Sequence, residues 1–277
     1  STSHTETVQL LLQAMRESGV DIQDALSRVD KNGRTALMHA LSTGHRATVR
    51  LLLQVMREPG VDITALYHHR LLRIGYDDTQ VPELILASAQ GYTEILDLML
   101  KTFQDADVET KARALNHHNR DGETALMAAS ANGHTDTVQR LLKTLDDADA
   151  ATRLAVLNHA DITGGTAIMA ASANGRPDTV QRLLKTLDDA DAATRLAVLN
   201  HADNRGKTAL MLASASGRID TVQLLLKTLD DADTATRLAV LNHADDTGRT
   251  ALMLALSTSH TETVQLLLQA MRESGVD

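Results

Sequence analysis

Thr124-Ala-Leu-Met127 returns as Thr208-Ala-Leu-Met211 and Thr250-Ala-Leu-Met253, with Thr166-Ala-Ile-Met169 between, so successive copies begin 42 residues apart. A fifth copy begins at Thr35. Self-similarity at a period of roughly 20–50 residues is the signature of a repeat array. Each unit of such an array buries its apolar face on its neighbours, and the product is a long surface rather than a closed catalytic pocket. Outward from the motif, residues 120–161 differ from 162–203 at six positions, and 162–203 differ from 204–245 at nine. Counted from the Thr, the chain divides into a partial unit 1–34 and an irregular unit 35–81, then 82–123, 124–165, 166–207 and 208–249, then a partial unit 250–277. In the unit that starts at Pro82, proline stands where the others have Thr. The expectation is one all-α solenoid over residues 1–277, of about six repeats with three helices each, strongly superhelical.

Each unit reads as helices. After Thr124, residues Ala125, Leu126 and Ala129 lie at helical spacing, and Gly133 is a natural stop just past the end. Val138, Leu141, Leu142 and Leu145 then follow at i, i+3, i+4 and i+7, the single apolar stripe of a second helix. Pro177 falls at the start of that helix in the next unit, where its missing N–H costs nothing. Asp136 in the first turn, with Arg140 and Lys143 after it, follows the order of charge a helix dipole favours. The run Leu145-Asp-Asp-Ala-Asp149 is unfavourable at a helix C-terminus. It therefore marks a boundary, with Asp149 as the N-cap of a short third helix through Leu157. Nothing alternates with period two for long, so little or no sheet is expected.

These residues resemble the ankyrin repeat. That family carries a Thr-Pro-Leu-His helix start, a Gly-His after the first helix, a Val-x-x-Leu-Leu second helix and a Val-Asn-Ala-x-Asp-x-x-Gly hairpin. Here the counterparts are Thr124-Ala-Leu-Met127, Gly133-His134, Val138-Gln-Arg-Leu-Leu142 and Leu157-Asn-His-Ala-Asp161-x-x-Gly164. An insertion of nine residues between the Leu-Leu pair and the Asn extends a unit of about 33 residues to the 42 found here. There are two departures: Pro-Leu-His has become Ala-Leu-Met, and the third helix takes part of the place of the hairpin. The pattern is similar to the long ankyrin repeats common in bacterial proteins.

The resemblance implies a non-enzymatic scaffold whose concave side binds a protein partner. It places on that side the residues around each Asp-x-x-Gly turn: Arg120, Asp121 and Glu123; Ile162 and Thr163; Asn204, Arg205 and Lys207; Asp246, Thr247 and Arg249. Asn132, Asn174 and Ser216 stand beside them. These positions vary between units that are otherwise near copies, whereas helix positions such as Lys143, Thr144 and Thr152 do not. A varied contact set on a fixed framework is what a binding surface needs; the bland alternative is that exposed positions drift. The irregular unit adds Tyr67-His-His-Arg70, Arg73 and Tyr76, and Tyr92 follows shortly after. Tyr and Arg dominate binding hot spots, so Tyr67, Tyr76 and Tyr92 join the candidates, against the reading of a decayed unit with a longer loop.

Composition narrows the function class. The chain of 277 residues has four aromatics, so its core is Leu, Ala, Val and Met, with Met127, Met169, Met211 and Met253 expected on the buried side. A net charge of −9 argues against a nucleic-acid partner. No apolar stretch is long enough to span a membrane, and zero Cys excludes thiolate chemistry and disulfides. The chain opens on Ser1 without a signal-peptide pattern, which reads as a processed or engineered piece of a soluble protein. No phosphate loop, dinucleotide fingerprint or metalloprotease motif is present, so no enzyme activity and no cofactor are expected. His117, His159, His201 and His243 form a ladder, one per unit. Stacked helical elements sit roughly 8–10 Å apart, while zinc ligands lie about 2 Å from the ion, so a ladder of single His residues cannot fill a coordination sphere. His4, His45, His134 and His260 match the Gly-His position of the resemblance and read as structural. The pair Asp146-Asp147 recurs in every unit, as solvated caps would and catalytic carboxylates would not.

The two ends are the same. Ser1 to Asp21 is identical to Ser257 to Asp277, an offset of 256 residues, whereas the internal relative 42–62 differs from both at six of 21 positions. One reading is recent duplication, or engineering that reuses a cap. The other is head-to-tail self-association into rings or filaments, for which Val8, Leu11, Leu12 and Met15 form the expected exposed apolar stripe. Self-assembly is thus the alternative to a scaffold with a foreign protein partner.

Overall fold

The computed structural model describes residues 2–32, 34–62, 83–102, 104–188, 190–230 and 232–275. Among them are eighteen helices and no strand. The N-terminal part holds α1 (Thr2–Glu17), α2 (Ile22–Ser27), α3 (Ala36–Ser42) and α4 (Arg46–Met56). Four successive units then carry three helices each. They are α5 (Glu83–Gln90), α6 (Thr93–Lys101) and α7 (Val108–Leu115), then α8 (Ala125–Asn132), α9 (Thr135–Lys143) and α10 (Ala150–Leu157). The next are α11 (Ala167–Ala173), α12 (Pro177–Lys185) and α13 (Ala192–Leu199), then α14 (Ala209–Ala215), α15 (Ile219–Lys227) and α16 (Thr234–Leu241). Last come α17 (Ala251–Ser257) and α18 (Thr261–Glu273). Tyr67, Tyr76 and the rest of the irregular run 63–82 lie outside the described residues.

In most units the first helix starts at a Thr whose hydroxyl accepts one of the N–H groups that a helix leaves open; Thr166 makes no such bond. Thr124 accepts from the Met127 amide at 3.3 Å, Thr208 from Met211 at 3.4 Å and Thr250 from Met253 at 3.4 Å. The third helix has its expected N-cap. The carboxylates of Asp107, Asp149, Asp191 and Asp233 accept the amide three residues on at 2.6, 2.8, 2.7 and 2.7 Å. The hydroxyl and amide of Thr152 hold the Asp149 carboxyl below its ordinary range. Asp146 and Asp147 stand exposed in the turn ahead; they are solvated as expected, but the cap is Asp149.

First helices stack in series, α3 on α5, then α8, α11, α14 and α17, and the second helices α6, α9, α12, α15 and α18 stack beside them. Small side chains make this close approach feasible: Ala125, Ala129, Ala171, Ala213 and Ala255 are fully buried. Leu141, Leu183, Leu225 and Leu267 repeat one buried position of the second helix. Each such side chain removed from water contributes roughly 1.5–3 kcal/mol, so the core is a column in which every unit depends on its neighbours.

Two expectations about burial need correction, both at the ends. Met127, Met169 and Met211 are buried, but Met253, on α17, the last first helix among the described residues, is 50% exposed. The stripe on α1 is split. Leu12 is buried, at 7%, on the side where α1 packs against α4, while Leu11 is 59% exposed and Val8 and Met15 are half-buried.

Candidate functional site

The turns that carry the candidate residues are built from a carboxylate and a glycine. The Asp161 carboxylate accepts the N–H groups of Thr163 and Gly165, both at 2.8 Å, and the Thr163 hydroxyl at 2.7 Å. Asp203 accepts the amides of Arg205 and Lys207 at 2.9 and 2.8 Å, and Asp245 those of Thr247 and Arg249 at 2.9 and 3.0 Å. Asn119 does the same for Asp121 and Glu123 at 3.0 and 2.9 Å. A side chain that satisfies the backbone two and four residues on fixes the turn. The residues between are free to differ.

Successive turns are tied to one another. The Ile162 N–H donates to the Asp121 carbonyl at 2.9 Å, Asn204 to Thr163 at 2.8 Å and Asp246 to Arg205 at 3.1 Å. Gly164 has φ of +82°, and a Cβ there would stand 2.7 Å from the Asn204 nitrogen. Only glycine permits both that conformation and that approach. The histidine ladder adds a second tie: His201 Nε2 donates to the Gly164 carbonyl at 3.2 Å and His243 to Gly206 at 3.0 Å. His159 bonds the Gly122 carbonyl in the same way, and burial lowers its pKa, with His118 adding to the shift. Sequence reasoning set a metal ladder aside but did not show this link. The signal was the constant spacing of the His and the turn glycine. His134 has an analogous structural place, its Nε2 on the Ala89 carbonyl at 3.0 Å. Among the described residues no three His, Asp or Glu side chains are grouped to hold a metal ion.

The stacked turns therefore bring most of the candidates into one row. Arg120, Asp121, Ile162, Thr163, Asn204, Arg205, Asp246 and Thr247 are exposed, and Glu123 and Lys207 half-buried. Ile162 is an apolar side chain 64% exposed in the middle of this row. Some candidates also have internal roles. Thr163 and Thr247 turn their hydroxyls onto Asp161 and Asp245. Arg249 lays its guanidinium on Asp245, with Nε at 3.1 Å and Nη2 at 3.0 Å, and the Asp245 carboxyl is held well below the usual carboxylate range, first by the Thr247 hydroxyl. Burial pushes the Glu123 carboxyl up, while the Asn119 amide donates to it at 3.1 Å. The Asn132 and Asn174 amides donate back to Ala128 and Ala170 at 2.9 and 2.8 Å, within their own helices. Tyr92 is half-buried against the core at the start of α6.

The comparison of varied and constant positions also changes in detail. Thr144 donates its hydroxyl to Leu141 at 2.7 Å and Thr152 completes the Asp149 cap, so their constancy has a structural cause. Gln139, Gln181 and Gln223, and Lys143, Lys185 and Lys227, are exposed on the second helices and identical between units. Against these, the turn tips differ in every unit.

A family model described as ankyrin repeats, in three copies, matches residues 1–66, 84–195, 146–237 and 189–277. Comparison with curated proteins gives no match. Among the described residues no helix is long and apolar enough to cross a membrane.

Proposed function

Because the chain belongs to the ankyrin-repeat family, we propose that it is a non-enzymatic scaffold binding a protein partner along its row of stacked turns, on the concave face of the solenoid. Ankyrin repeats generally mediate interactions between proteins and are typically non-catalytic. The observation that carries the finer reading is the contrast within each turn. The Asp or Asn, the Gly and the inter-turn bonds are constant, while the exposed tips change from Arg120-Asp121 to Ile162-Thr163, Asn204-Arg205 and Asp246-Thr247. A rigid backbone displaying different side chains loses little conformational freedom on binding. Along the row the exposed Ile162 stands between Arg120 and Asn204, with Arg205 and Lys207 in the same turn as Asn204, an apolar residue among polar and charged ones of the kind protein interfaces use.

Arg205→Glu with Lys207→Glu, in a chain used to capture its partner, tests this. The double reversal is expected to weaken the captured complex by more than about tenfold, or 1.4 kcal/mol, with Tm unchanged. The same loss from Lys143→Glu or Lys185→Glu, with the turn variant unaffected, would move the binding surface to the second helices.

A further inference from the structure

The row of stacked turns, taken as the binding surface, changes character in a fixed order along the array. Ile162 is apolar and 64% exposed; among the described residues it is the one exposed large apolar side chain between Val29 and Met253. The next turn carries Arg205, exposed, and Lys207, half-buried. Among the described residues neither makes an ion pair. The turn after that presents the exposed carboxylate of Asp246, while Arg249 beside it is engaged by Asp245. The order along the row is therefore apolar, basic, acidic. The turn before Ile162, with Arg120 and Asp121, carries both signs and adds no preference.

The main chain of these tips has no N–H left for a ligand. Ile162, Asn204 and Asp246 donate theirs to the turn before, and Thr163, Arg205 and Thr247 donate theirs to the carboxylates of Asp161, Asp203 and Asp245. A partner strand cannot be added here by backbone pairing as at a sheet edge, so side chains must do the recognising. Bonds of 2.9, 2.8 and 3.1 Å tie each tip to the one before and keep the step near the roughly 8–10 Å of packed helices. A chain in the polyproline II conformation has three residues per turn and rises about 3.1 Å per residue, so every third side chain falls on one face about 9.3 Å from the last. Two steps of the row span roughly 16–20 Å. Two such repeats of polyproline II cover about 18.6 Å, whereas two face repeats of a strand cover about 13 Å and fourteen residues of an α-helix about 21 Å. Polyproline II is also a major conformer of unfolded chains, so a disordered segment needs little reordering to adopt it.

We propose that the row reads an extended segment of a partner protein, held in the polyproline II conformation, with an apolar, an acidic and a basic side chain at every third position. The apolar side chain lies on Ile162, the acidic one against Arg205 and Lys207, and the basic one against Asp246. This rests on the row being the binding surface and adds the chemistry of what it binds. Exposed ion pairs contribute little each, so here they set order more than affinity. A segment that brings its basic residue to Arg205 and Lys207 juxtaposes like charges, and that penalty supplies the selectivity.

The test titrates the full chain into labelled synthetic peptides and reads fluorescence anisotropy. The probe is Leu-Pro-Pro-Glu-Pro-Pro-Lys, run also in reverse order because the row does not fix chain direction; its proline spacers set the conformation in advance. The controls, each run in both orders, are Leu-Pro-Pro-Lys-Pro-Pro-Glu, with the charges exchanged, and Leu-Pro-Glu-Pro-Lys, with the spacing cut to two. One direction of the probe is expected to bind at least about tenfold more tightly than either control. Arg205→Glu with Lys207→Glu should abolish that preference, and the probe with Lys in place of its central Glu should then bind the variant better than the probe itself, which a misfolded variant would not show. Absence of binding by every peptide up to about 1 mM, or equal binding of probe and controls, overturns the proposal. A captured protein partner then separates the two readings. If the same double variant still releases it, the row is the binding surface but its partner is not an extended segment; if the variant holds it unchanged, the row itself is not the surface.

Discussion

His159 shows how a single side chain links two turns at a cost that depends on pH. It reaches the Gly122 carbonyl from a half-buried position, and burial disfavours its charged form; His117, one unit earlier, is more buried and likewise lowered, again with burial first and its neighbour His118 second. A folded-state pKa below the ordinary 6.5 means that the unfolded chain takes up the proton first. The stability held above that value is then lost as pH falls from about 6.5 through the folded pKa. Tm should fall between pH 7.5 and 5, and His117→Gln with His159→Gln should flatten that slope. An unchanged slope in the double variant would assign the pH response to other groups. At this scale the sequence was readable where a residue repeats with its partner and unreadable where it does not. Asp149 announced a cap through the acidic run around it. The fold-back of Arg249 onto Asp245 did not follow from its place in the turn, because Lys207 at the same position meets Asp203 through its backbone amide.

The third helix is the element that sets this array apart from shorter units, and its existence rests on its first residue. Eight residues are too few for a helix to persist alone in water, and α10 buries only Val156 and Leu157 fully. The Asp149 carboxylate satisfies an amide that would otherwise be open. Asp149→Ala should lower Tm and raise amide exchange across 150–157, while Asp149→Asn, which caps equally well, should hold both near wild type. Equal protection in the Ala variant would mean that packing alone holds the helix. Elements were legible where local chemistry and packing agree, as they do here. They were not legible at the duplicated ends. The same Thr-Ser-His is helical at 2–4 and forms the turn between two helices at 258–260, because at 258–260 a packed first helix precedes it. Identical residues cannot announce different conformations, so only the neighbours decide.

For the whole molecule the governing fact is that, among the described residues, the main helix packing runs between adjoining units, so the same damage should cost different amounts in different places. Leu141, Leu183, Leu225 and Leu267 make a controlled series. They are the same residue at the same place on the second helix, 0, 2, 3 and 1% exposed. Truncation of a buried Leu to Ala typically costs about 2–5 kcal/mol. In α9, α12 or α15 the damaged helix has a stacked neighbour on each side, so the loss is felt by both flanking blocks and should appear as a lowered midpoint for the array. In α18 the neighbour is on one side only. There the last helices can fray and leave the rest folded, as a one-dimensional array permits. The expected result is a marked fall in the main circular-dichroism midpoint for Leu141→Ala, Leu183→Ala and Leu225→Ala. Leu267→Ala should shift it little but lose amide protection across 251–273. A fall for Leu267→Ala as large as that for Leu183→Ala would mean that the helices unfold as one cooperative block.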